Sequence, residues 1–306
     1  MSNFIANIEK ALQALQVSHS TTHAVLKHAE GMAGSTSSVF IETTSGLPER
    51  VDITTCHHYS RDWQSLRLDP SKLERINGLD AKFRPKTIWL EHDNIASEYA
   101  KPGLHLSVNQ QTVANLTSLC TTLFNSQPPI AADDFTQLLS LAEIQHLSNL
   151  YREHGETLKL HLKPFKLDDF AANAGFTAFI KQEKALEVIN KIGKLEGHFF
   201  EYVYLDLSFY AQQPLHKVGI YLSNKQANNK DYLNDFQTIL AALNLTDNDI
   251  SALVPLLSNN EHAFVDIKIV ITEHQLYSKL YTGVINNKAA ETTAIASQLA
   301  ALFKVS

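Results

Sequence analysis

The sequence predicts an α+β protein in which β-hairpins, separated by helices, build an antiparallel sheet with one apolar and one polar face. Three observations carry this. Segments alternate strictly: in 202–210, Val203, Leu205, Leu207 and Phe209 are apolar, whereas Tyr202, Tyr204, Asp206, Ser208 and Tyr210 are not. Side chains alternate faces along a strand, so such a segment has one greasy and one polar side. The segments also come in pairs: after Gln212-Gln213-Pro214, Val218, Ile220 and Leu222 alternate with Lys217, Gly219, Tyr221 and Ser223. Between the pairs, apolar residues recur at helical spacing and supply cover for the greasy face.

Residues 2–31 read as two helices divided near 18–22, where Ser and Thr can cap the second. A hairpin follows, 38–44 and 50–56, joined by Ser45-Gly46-Leu47-Pro48. Residues 57–81 are polar, with helical periodicity over 70–76, and a second strand pair is 86–91 with 103–109. The spacing of Val113, Leu116, Leu119, Leu123 and Phe124 predicts a helix over 110–124, and 133–152 reads as another helix or helical pair. The strand 158–163 alternates Leu158, Leu160 and Leu162 with Lys159, His161 and Lys163; residues 168–195 are helical. Two pairs remain, 199–210 with 216–223 and 264–272 with 276–285, separated by a helical segment over 231–257; a helix over 289–303 ends the chain.

The order is α, ββ, α, ββ, α, β, α, ββ, α, ββ, α, an internal repeat without a dividing linker, so 1–306 is read as one domain. Closing the sheet removes its exposed edges and turns the polar face into a lumen, about ten strands being too wide for side chains alone to fill. The alternative is an open sheet with helices on one face and water on the other.

Composition narrows the function classes. The 306 residues are 44% apolar and 19% charged, fitting a soluble globular chain with a large core. No apolar run approaches the roughly 20 residues that span a bilayer, and 1–15 reads as an amphipathic helix, not a signal peptide. A net charge of −6 argues against a general nucleic-acid binder. Cys56 and Cys120 form neither a metal spacing nor a disulfide framework, so a cytoplasmic setting is expected.

Three stretches resemble the soluble ABBA-type aromatic prenyltransferases, whose repeated αββα units surround a ten-stranded antiparallel barrel. Ser38-Val39-Phe40-Ile41, Thr44-Ser45-Gly46 and Arg50-Val51-Asp52-Ile53-Thr54 look like that family's first hairpin. Residues 200–224, closing on Leu222-Ser223-Asn224, resemble its tyrosine-bearing hairpin, and Tyr277-Ser278-Lys279-Leu280-Tyr281 resembles its last. The resemblance implies transfer of a dimethylallyl or geranyl group from its diphosphate to an electron-rich aromatic small molecule, by a monomer. It also implies that Asp52 falls where some members hold Mg²⁺ with the diphosphate; an ion pair to Arg50 or to a neighbouring strand's lysine is the other reading of Asp52. Where members often carry arginine, this chain has His216 or Lys217, and alternation favours Lys217.

The residue types suit that chemistry. A leaving diphosphate carries about three negative charges near neutral pH, so preplaced cations must meet it. Arg50, Lys159, Lys163, Lys217, Lys268 and Lys279 share the polar parity of their strands. Tyr202, Tyr204, Tyr221 and Tyr281 share it too, adding hydrogen bonds and π faces that shield an allylic cation. Glu91, His161 and Tyr204 are the candidate catalytic groups, a carboxylate or imidazole taking the proton the acceptor loses. Trp89, His105 and Ser107 are candidates for the acceptor. Taken singly, each lysine is as expected on a solvated face, and Glu91 as an ion-pair partner. Three rival readings stand beside the enzyme: prenylation of an aromatic or hydroxyl side chain in a small cyclic peptide, a non-catalytic barrel carrying an anionic small molecule, and an open-sheet interaction module.

Overall fold

The computed structural model of the chain describes residues 3–32, 36–44, 47–58, 87–95, 102–108, 112–124, 129–152, 155–166, 172–180, 183–194, 202–210, 215–223, 230–245 and 263–285, with residues 74 and 169. Helices α1 (Asn3–Ala14) and α2 (His19–Met32) open it. Ser18 Oγ accepts from the Thr21 N–H at 3.3 Å, an N-cap at the Ser/Thr break. Phe4, Ile5, Ile8, Ala11 and Leu12 form the buried face of α1.

Strands β1 (Thr36–Thr44) and β2 (Leu47–His58) make the first hairpin; β3 (Thr87–His92) and β4 (Gly103–Ser107) make the second. After α3 (Val113–Phe124) and α4 (Ala132–Leu141) come β5 (Ile144–Arg152), β6 (Gly155–Leu162) and the two-residue β7 (Phe165–Lys166). Helices α5 (Ala174–Ile180) and α6 (Glu183–Gly193) precede β8 (Tyr202–Tyr210) and β9 (Lys217–Ser223). Helix α7 (Lys230–Ala242) leads to β10 (Ala263–Thr272) and β11 (Leu276–Ile285).

The pairings are antiparallel, and they close. The order β6-β5-β4-β3-β2-β1-β11-β10-β9-β8 is completed by a β6–β8 ladder, giving a ring of ten strands. Strand β7 pairs with β8 at Phe165–Val203, past the end of β6. The open-sheet alternative is therefore wrong. Aliphatic residues of one parity, among them Val39, Ile41, Val51, Ile53, Leu205, Leu207, Ile220 and Ile269, are fully buried on the outside of the ring. Helix residues such as Phe135, Phe176, Val188 and Phe236 join the same core, so burial of roughly 25 cal/mol per Å² of apolar area falls between barrel and helices.

Two expectations are corrected. Residues 133–152 are not helical throughout: α4 ends at Leu141, and 144–152 form β5. Phe135, Leu138, Leu141, Ile144 and Leu147 keep a three-residue spacing, which imitates a helix. A register shift between Ile144 and His146 also puts the start of the strand out of phase. The helical stretch 168–195 is two helices, α5 and α6. The expected helices over 70–76 and 289–303, and the part of 231–257 beyond 245, lie outside the described residues apart from residue 74.

Candidate active site

Directly paired residues of neighbouring strands share a face, so the register fixes what meets in the lumen. One line runs Trp89–His105–Ser148–Lys159–Ser208–Lys217–Thr272. Another runs Tyr204–Tyr221–Lys268–Lys279–Thr44, and a third Asp266–Tyr281–Glu42–Asp52. These polar positions are inward because the alternate, aliphatic positions are held outward by the helices.

Across the middle of the lumen the charges pair. Glu91 takes Arg152 Nη2 at 2.7 Å and Lys159 Nζ at 3.1 Å; His105 Nε2 lies 2.8 Å from the same carboxylate, and His105 Nδ1 2.6 Å from Ser148 Oγ. Lys268 Nζ donates to Asp206 and, at 3.1 Å, to the Tyr221 hydroxyl. That hydroxyl lies 3.3 Å from the one on Tyr281. Lys279 Nζ donates to Glu42 and, at 3.0 Å, to Asp52 Oδ2. Burial alone would raise the Glu42 carboxyl, but Lys279 and Lys268 hold it down to about 2. Burial likewise opposes ionisation of Glu91 and Asp206, and Lys159 and Lys268 respectively bring both below the usual carboxylate range.

Asp52 is held by a backbone N–H and by a lysine two strands away. Its Oδ1 accepts from the Asn94 N–H at 2.7 Å and its Oδ2 from Lys279, with no ion pair to Arg50. An ammonium already stands between Glu42 and Asp52, so these residues do not fit Mg²⁺ there. Among the described residues no group of three or more His, Cys, Asp or Glu is arranged to hold a metal ion.

Lys217 differs from the other lumenal cations. Among the described residues it forms no ion pair, and its register neighbour Ser208 has a buried hydroxyl without a partner. Burial and then the charges of Lys268, Arg152 and Lys159 press its ammonium well below the ordinary lysine value. Gly219, two residues on, leaves the space through which Lys268 reaches Asp206.

Above this layer lies a cavity of ≈ 180 Å³ whose walls are mainly rings, Phe40, Trp89, His146, His161, Tyr204 and Tyr281 among them. Phe40 and Trp89 sit 5.1 Å apart, His105 and His161 5.5 Å, and Tyr221 and Tyr281 5.2 Å between centroids. The imidazoles are neutral: burial and then His105 lower His146 to about 3, and burial with Lys159 takes His161 well below its ordinary value. His161 Nε2 is buried and has no hydrogen-bond partner among the described residues.

The lumen thus collects Trp89, Glu91, His105, Lys159, His161, Tyr204, Tyr221 and Tyr281 around one cavity; Lys268 bonds Tyr221 from outside its lining, and Lys217 does not line it. Lys279 sits at the layer beneath it, and Ser107 pairs with His146 on the same face. Three further expected residues lie away from this cluster. Lys163 is past the end of β6, 55% exposed and paired with Glu143, because the strand stops at Leu162 before Pro164. Arg50 keeps the inward parity but is exposed near the β1–β2 turn. Tyr202 is placed by its backbone opposite Ser223; its side chain lies outside the described residues. Phe40, Glu42, Arg152, His146 and Asp206 were not picked out as site residues. Parity alone points to Glu42 and Asp206, whereas Arg152 and His146 become visible only once β5 is known to be a strand.

No protein-family model matches the sequence, and no curated protein does. Solved structures do match in shape. The chain is similar to AnaPT from Neosartorya fischeri, with a TM-score of 0.57 and 11% identity over 92% of this chain and 92% of that one. It is also similar to NotF in complex with brevianamide F and DMSPP, with a TM-score of 0.62 and 10% identity over 92% of this chain and 93% of that one. The fold is therefore the helix-wrapped ABBA barrel that the three sequence stretches anticipate.

Proposed function

We propose that this barrel is an aromatic prenyltransferase, moving a dimethylallyl or geranyl group from its diphosphate to an electron-rich aromatic small molecule. The observation that carries the reading is a cavity walled mainly by rings that ends on a layer of buried ion-paired cations, which suits the two halves of an allylic diphosphate. The likeness in fold to NotF, solved with DMSPP and brevianamide F, supports it.

In this reading Lys217 meets the diphosphate first, since it has no carboxylate to give up. Lys268 and Lys159 follow by exchanging a protein carboxylate for phosphate oxygens, with Tyr221 and Tyr281 adding hydroxyl donors. The allylic C–O bond breaks and its electron pair leaves on the diphosphate, toward donors already in place. The allylic cation faces Tyr204, Tyr221 and Trp89, whose π faces stabilise it. The acceptor ring attacks, a carbon–carbon bond forms, and the proton from that ring carbon passes to His161 Nε2. Glu91, tied to Arg152, Lys159 and His105, positions Lys159 and His105 instead of acting as the base. No step runs through a metal ion.

Incubation with dimethylallyl or geranyl diphosphate and a panel of phenols and indoles should release diphosphate in step with prenylated product. Tight binding of the diphosphates without release in any pairing would instead make the barrel a carrier.

A further inference from the structure

Along β1, Phe40 lines the ring-walled cavity and Thr44 lines a second one, with Glu42 between them; along β11, Tyr281 and Tyr277 are divided in the same way by Lys279. The ion-pair layer therefore separates two cavities at opposite ends of the barrel. The second measures ≈ 630 Å³ and lies where the β1–β2 and β10–β11 turns meet α6 and the end of α7. Its basic side chains are Arg50, Lys184, His274 and Lys279, and among the described residues no carboxylate lines it. Lys279 is neutralised by Glu42 and Asp52, and His274 has Glu273 3.8 Å away in solvent. Arg50 and Lys184 have no ion pair among the described residues. Leu243, Leu245, Leu276 and the 51% exposed Leu47 make up the apolar wall. Asn244, at φ 55, forms a left-handed C-cap in which the Leu245 N–H donates to Leu240 O and the Asn244 N–H to Ala241 O.

We infer that this mouth is a second anion site, taking a phosphate head that carries an apolar chain, with Arg50 and Lys184 on the head and the leucines on the chain. Two unpaired cations beside a leucine wall suit an amphiphilic dianion better than a bare one. The site does not depend on the lumenal reading, since it shares no unpaired cation with it.

Calorimetric titration of the full chain with geranyl phosphate separates the two. We expect two classes of site, one lost in the double variant Arg50→Ala/Lys184→Ala and the other in Lys217→Ala, with unchanged thermal melts as the control for folding. Inorganic diphosphate should fill the mouth class at least about tenfold more weakly, because it cannot use the leucines. A single class insensitive to the double variant overturns the mouth site and leaves the lumenal one standing. A single class insensitive to Lys217→Ala does the reverse. Equal affinity for inorganic diphosphate and geranyl phosphate at the mouth overturns the assignment to an amphiphile.

Discussion

Asp206 and Lys268 meet across an intervening strand because Gly219 has no side chain. A Cβ there would fall 2.2 Å from Asp206 Oδ1 and 2.3 Å from Lys268 Cε. Both partners are shut off from solvent, so neither charge is tolerable without the other. Lys268→Met should cost about 3 kcal/mol or more in urea unfolding, since it strands a buried carboxylate. The double variant Asp206→Leu/Lys268→Met should recover part of that loss. If the double variant is as unstable as the sum of the two single ones, the pair is not coupled in this way.

Lys217 gives a kinetic prediction. Without a carboxylate to hold it, its side chain can be removed at little cost to the fold, yet donor binding loses a charge-assisted contact. Lys217→Ala should raise the donor KM about tenfold or more while leaving the acceptor KM and the melting temperature nearly unchanged. An unaltered donor KM would remove Lys217 from the site.

Alternation told which face each side chain occupies, and it did so across the barrel, from Thr54 and Trp89 to Tyr221 and Lys268. It does not tell depth along the barrel axis. Arg50 and Lys163 share the inward parity of Lys217, but one sits at a mouth and the other beyond a strand end. Nor does alternation show which charges meet: Lys279 and Glu42 are 237 residues apart and pair only because β11 and β1 are neighbours in the closed ring. The cations that read as free donors for an anion were thus mostly committed to carboxylates, a fact of ring closure invisible in any one strand.

Metal dependence follows from the Lys279 bridge. With its ammonium between Glu42 and Asp52, prenyl transfer should proceed undiminished in EDTA. Asp52→Asn keeps the acceptor for the Asn94 N–H but removes one counter-charge of Lys279, and should destabilise the fold by about 1–3 kcal/mol. Activity lost to EDTA and restored by Mg²⁺ would show that a metal displaces Lys279.

Acid should weaken the barrel earlier than it weakens most carboxylate-stabilised folds, because buried neutral histidines respond first. Burial, with His28 and His57, lowers His92 to about 3, and burial, with His105, lowers His146 to about 3, against an ordinary value of 6.5. Between those values the unfolded chain binds protons that the folded one refuses, so stability rises with pH across the window. Each such histidine steepens the loss on acidification by up to about 1.4 kcal/mol per pH unit. Glu42, held at about 2 against 4.5, acts in the same direction at lower pH, its contribution being complete above 4.5 and lost as pH falls toward 2. Unfolding free energy measured from pH 8 downward should therefore be flat to about pH 7 and begin to fall near 6.5. His146→Phe should soften the fall between about pH 6.5 and 3 and leave the part below pH 3 intact. A curve that stays flat to pH 5 would mean these imidazoles protonate in the folded barrel, and His161, packed 6.0 Å from His146 between ring centroids, would lose its standing as a neutral proton acceptor.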